Sequence, residues 1–220
     1  ELSNLKFLEF DSKDIKLNFI LDDLEFNLPV LLDPVVISKI NFKSSDYDVL
    51  CLISGSFHGM PLEGVYKKVF IKDVAATLKL SGGFDMSRES SYPLRHIGYS
   101  DDGVFFWDMN VTVPPKKDSI FRFSADLEPI SFSYPALAVK KEKKQIGFLE
   151  LGWTKGQPLN FSLNYNDSDL SGYMFFSDPQ TVGRVEFTKV KLGEFFRGTA
   201  SYYSEDNVNK LIIEGPSYDY

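Results

Sequence analysis

Between Gly103 and Val113 the chain reads GVFFWDMNVTV. Phe105, Trp107, Met109, Val111 and Val113 take every second position, and Phe106, Asp108, Asn110 and Thr112 fall between them. A period of two places five large apolar side chains on one face of a strand, which a helix cannot do with that spacing. Asp101-Asp102-Gly103 supplies turn chemistry before this run, and Pro114-Pro115 ends it by removing two ladder donors.

The same alternation recurs along the chain. Ile15 to Leu21 reads as a strand that Asp22-Asp23 turns, and Leu24 to Leu32 is apolar but interrupted by Pro29. Val35 to Phe42 resumes the alternation, and Val49 to Ser54, apolar throughout, fits a strand buried on both faces. Gly55 to Gly64 has loop composition, and Val65 to Ile71 with Val74 to Leu80 form a hairpin across Lys72-Asp73. Residues 81–102 make the longest irregular stretch, the place where a loop site is first sought. Beyond Pro115, strands are expected at Phe121 to Leu127, Ile130 to Val139, Gln145 to Trp153 and Leu159 to Tyr165. Tyr173 to Ser177, Val182 to Leu192, Phe196 to Tyr203 and Val208 to Glu214 complete the series. Lys140 to Lys144 reads as a charged hairpin tip. The pattern predicts one all-β domain over residues 1–220, with little or no helix and a soft boundary within 81–102. Its architecture is an antiparallel β-sandwich, jelly-roll-like, or a large antiparallel barrel, since so many strands exceed one flat sheet.

Charge and composition narrow the partners. The formal net charge is −7, which repels nucleic acid and anionic surfaces. No run approaches the roughly 18 apolar residues of a membrane-spanning helix, and the opening ELSNLKFLEF lacks the pattern of a signal peptide. Cys51 is the sole cysteine, set among Val49, Leu50, Leu52 and Ile53 as a small core hydrophobe. No spacing asks for a cofactor or a Cys/His metal site. Sequons at Asn110, Asn160 and Asn166 favour an extracytoplasmic or particle-surface setting.

Three groups of residues are candidates for chemistry or binding. Asp108, on the polar side of the central strand, and Glu150, inside the apolar run Ile146 to Trp153, are the carboxylate pair a β-sandwich glycosidase would need. Tyr92, His96, Tyr99 and Trp153 are the candidate ligand-binding residues, with Phe106 a further ring for a sugar platform; Trp107 shares a face with Phe105 and Met109 and belongs to the core. Asn164, Asn166, Asp167 and Asp169 gather oxygen atoms in one turn, a weak pattern for calcium and a strong one for a plain turn. There is no G-x-S-x-G elbow, and the two histidines, His58 and His96, have no ligand spacing.

These features rank three functions. The first is a non-catalytic binding or assembly protein, such as a surface, adhesin-like or virion component with a protein or glycan partner. The second is a carbohydrate-binding or glycoside-cleaving sandwich. The third is a lipocalin-like barrel around an apolar small molecule.

Overall fold

A computed structural model describes residues 18–26, 35–57, 59–71, 73–85, 103–134, 139–178, 181–194, 196–205 and 208–215. The first strands are β1 (Asn18–Phe26), β2 (Val35–Ser44), β3 (Asp48–Phe57), β4 (Met60–Val69), β5 (Ala76–Asp85), β6 (Val104–Val113) and β7 (Ile120–Asp126). A short pair, β8 (Phe132–Tyr134) and β9 (Val139–Lys141), precedes β10 (Gly147–Thr154), β11 (Leu159–Tyr165) and β12 (Ser168–Asp178). The last three are β13 (Thr181–Leu192), β14 (Phe196–Glu205) and β15 (Val208–Glu214). No described residue is helical. Thirteen strands form one antiparallel sheet in chain order, and only the β8–β9 hairpin leaves it, between β7 and β10. The all-β antiparallel expectation therefore holds, in the form of a single continuous meander.

The period of two becomes two chemically distinct faces because the register keeps like residues in line. One apolar row runs Ile40, Ile53, Gly64, Leu80, Met109, Phe123, Leu151 and Phe161 across β2 to β7, β10 and β11. The next runs Leu62, Gly82, Trp107, Ala125, Leu149, Leu163 and Leu170. Aromatic rings tie these rows together: Trp107 stacks on Phe123 at 6.0 Å between centroids, and Phe84 meets Phe105 at 5.2 Å. Phe161 and Phe187 pack edge to face at 5.4 Å.

Where the sequence departs from strict alternation, bulges restore it. Ile37 and Ile40 are three apart, yet both belong to the apolar side because the β2–β3 register shifts between Val36 and Lys39. Phe187 and Val190 are reconciled in the same way by shifts in β13. Such shifts bring backbones close, and glycine fills the crossing points. A Cβ on Gly55 would lie 2.2 Å from Val36 O, and one on Gly172 only 1.9 Å from Glu186 O. Gly172→Ala is therefore expected to lower stability by about 1–2 kcal/mol, since backbone rather than a rotatable side chain must give way. The urea midpoint followed by circular dichroism checks this, and an unchanged midpoint would mean that β12 and β13 separate freely.

The best-enclosed part of the apolar face lies over β6, β7 and β10. Ala125, Leu127 and Ile130 are buried there, with Phe105, Trp107, Phe123, Leu149 and Leu163 packed against them. Lys141, on β9, is fully enclosed beside this cluster, its side chain against the space left by Gly147. Its ammonium donates to the carbonyls of Ile130 at 2.7 Å, Glu142 at 3.2 Å and Glu128 at 3.4 Å. Burial pushes its pKa down from the ordinary 10.5, while Asp126 and Glu128 act in the opposite direction.

Several sequence expectations change. Lys140 to Lys144 is not all an exposed tip: Lys141 is a buried strand residue, and only 142–146 turn. Asp22-Asp23 does not end a strand, because β1 continues to Phe26 and Asp22 pairs with Lys39 in register. Val49 to Ser54 is not buried on both faces, since Leu52 remains 42% exposed on the side away from Cys51 and Ile53. In the Gly55 to Gly64 stretch, 55–57 end β3 and 60–64 begin β4, with Gly59 before β4 in a turn at φ 71°. Likewise 81–85 belong to β5 rather than to the long loop, and 86–102 lie outside the described residues. Cys51 is half-buried opposite Tyr66, and burial raises its thiol pKa.

Candidate binding groove

The face opposite the core cluster carries the polar members of each alternation. Along one row the register gives Glu63, Ser81, Asp108, Ser124, Glu150 and Ser162 on successive strands from β4 to β11, β8 and β9 apart. Carboxylates thus alternate with serines, and no two like charges are direct neighbours. In the adjoining row lie Val65, Lys79, Asn110, Arg122, Gly152 and Asn160. Lys79 is set diagonally between Glu63 and Asp108, and Arg122 between Asp108 and Glu150.

This face is hollowed into an open groove of about 940 Å³ lined by both rows, Ser162 apart. Asp108 and Glu150 are both exposed within it. They stand two strand spacings apart, about 10 Å between backbones, with Ser124 between them. Glu150 is consequently not a buried charge in an apolar run: its neighbours Leu149 and Leu151 point to the other side of the sheet. Asn110 contributes an unusual group, because its Oδ1 is buried and lacks a hydrogen-bond partner. Of the three sequon asparagines, Asn160 and Asn166 are exposed and Asn110 is half-buried.

Two aromatic rings border the carboxylates. Phe106 and Phe148 are each two residues before Asp108 and Glu150 in their strands, and both lie opposite Asp126. They are 59% and 51% exposed, which is high for phenylalanine in strand interiors. Tyr173, opposite Asn160, is 41% exposed at the far side of the groove. The period of two already placed Phe106 with Asp108; Phe148 was legible by the same rule, two positions before Glu150, and was missed because Ile146 to Trp153 reads as one apolar run. Gly152 leaves the floor bare beside Asn160, whose side chain occupies the space its Cβ would take.

The remaining candidates are placed differently. Trp153 lies near the end of β10, opposite Phe121 and 39% exposed; it shares the face of Leu149 and Leu151, so only its backbone borders the groove. Tyr92, His96 and Tyr99 lie outside the described residues, as does His58. Asn166 and Asp167 form the β11–β12 turn, with Asn166 at φ 48° and its amide donating to Gln145 Oε1 at 2.9 Å. Asn164 donates to Ser162 Oγ at 3.1 Å, and Asp169 pairs with Lys189 across the sheet. The four oxygen-bearing residues therefore have partners or turn roles of their own. Among the described residues no group of three or more His, Cys, Asp or Glu is gathered to hold a metal ion. Comparison with protein-family models, with curated proteins and with solved structures finds no match to this chain.

Proposed function

We propose that this chain is a non-catalytic binding module whose polar groove takes an extended, uncharged, polyhydroxylated ligand, a neutral glycan chain. The observation that carries this reading is the groove itself: hydrogen-bonding groups on six adjacent strands, in two rows, open to solvent along their length. Carboxylates and an arginine suit vicinal hydroxyls, accepting and donating in strong charge-assisted hydrogen bonds. Phe106, Phe148 and Tyr173 offer apolar surface for the faces of sugar rings. A net charge of −7 opposes anionic chains, which favours a neutral glycan over nucleic acid or an acidic polysaccharide.

The openness of the groove supports binding over hydrolysis. A glycosidase encloses its acid and its second carboxylate around the scissile bond and excludes water from them. Here both carboxylates are exposed to solvent, with serine between.

A glycan array followed by titration calorimetry tests the reading. Arg122→Ala and Asp108→Ala are each expected to weaken binding of a neutral oligosaccharide about tenfold, as for loss of one hydrogen bond to a charged group. Asp108→Asn and Glu150→Gln preserve volume and an acceptor oxygen, so affinity should stay within about threefold. Reducing-sugar detection should find no turnover in any of them. An array with no neutral ligand, or turnover that both conservative variants abolish, would overturn the proposal.

A further inference from the structure

The sheet has two ends, and they differ in a way that points to a partner. Among the described residues β1 pairs only with β2, and β15 only with β14. Among the described residues nothing pairs with the outer side of either end strand, whose backbone N–H and C=O groups are a template for another strand. In β15, Ile212 and Ile213 are 49% and 54% exposed although they point to opposite faces, so apolar surface is open on both sides of this edge.

The charges flanking these residues are arranged symmetrically. Residues 210–214 read Lys-Leu-Ile-Ile-Glu, with Lys210 and Glu214 each two positions from Ile212 and on its face. Two copies paired antiparallel about Ile212 bring Lys210 of each opposite Glu214 of the other. The same register sets Ile212 against itself and continues the backbone ladder across the contact. Edge charges ordinarily oppose such addition; here self-pairing satisfies them. The opposite edge lacks this property, because β1 carries Asp22 beside Ile20 and Leu21 and meets its own copy about Asp22 with like charges.

We infer that β15 is a self-complementary docking edge through which two copies of this chain form a twofold dimer by antiparallel β15–β15 pairing. The contact is isologous, so it closes at two chains and leaves the groove on each sheet free. Its core is short, which makes the dimer weak and concentration-dependent.

Sedimentation velocity of the whole chain from about 10 μM to about 1 mM measures this association. The wild type should pass from monomer to dimer and stop there. Lys210→Glu makes the edge wholly acidic and Glu214→Lys makes it wholly basic, so each variant alone should remain monomeric. Mixed in equal amounts, the two variants should recover a one-to-one dimer, because the pairing then opposes acid with base at both ends. Recovery on mixing shows that both variants are folded. A monomeric wild type at every concentration, dimers that persist in Lys210→Glu, or mixing without recovery would overturn the inference. Growth beyond the dimer would also overturn it, since head-to-tail addition of β15 to β1 does not close.

Discussion

Trp107→Ala is expected to destabilise the fold by about 3–5 kcal/mol, the range for a large aromatic removed from a packed site. The indole lies between Gly82 on β5 and Ala125 on β7, the two smallest neighbours its row offers. A Cβ on Gly82 would come within 2.7 Å of Trp107 Cζ2, so the ring already fills the space above that glycine. It also stacks on Phe123, and both rings pack against the buried Ala125, Leu127 and Ile130. Truncation leaves a hollow bordered by small residues that cannot grow into it. Urea denaturation followed by far-ultraviolet circular dichroism measures the loss, and Trp107→Phe should recover a large part of it. A loss below about 1 kcal/mol would mean that the ring contributes no packing.

Lys141→Ala is expected to cost about 3 kcal/mol, because three carbonyls lose a common donor and a buried stem is removed with it. Lys141→Met should cost less, since it keeps the stem and also removes an ammonium that burial penalises. The pair of variants thus separates packing from charge. pH gives an independent check with a fixed sign. The folded state holds this proton less tightly than the unfolded chain does, its pKa being depressed below 10.5. The resulting penalty is full at neutral pH and is relieved as pH rises through the folded pKa towards 10.5. The melting temperature of wild type relative to Lys141→Met should therefore climb on the alkaline side. A gap that stays flat up to pH 10.5 would mean the ammonium is solvated.

Why the sequence revealed some of this and concealed the rest has a physical reason. The alternation from Phe105 to Val113 determines which side chains share a face, and Asp108, Trp107 and Phe106 were legible from it. A bulge changes that parity by one residue, and nothing local in Ile37 to Ile40 or Phe187 to Val190 announces it. Lys141 was hidden for another reason. Within a run of five charged residues its neighbours suggest water, and only the carbonyls of Glu128, Ile130 and Glu142, brought round by the β8–β9 hairpin, make burial affordable. The setting of Glu150 is ambiguous in the sequence, because composition, without the pleat, cannot tell an apolar run from one apolar face. The groove lay beyond reach altogether, since it depends on the register of six strands at once.

The chain-order meander has a mechanical consequence. Nearly every strand holds only the strands before and after it, so the sheet resembles a linear array in which coupling passes between nearest neighbours. In such an array resistance to opening is greatest where neighbours are best anchored, at β6, β7 and β10, and declines outward to β1 and β15. Apart from β7 with β10, each pairing also joins consecutive strands, which lets each hairpin form before the next arrives. Lengthening or trimming the array by a whole hairpin at either end would leave the registry of its middle unchanged. A lineage could thus vary the reach of its outer strands while the Asp108–Ser124–Glu150 row stayed in place.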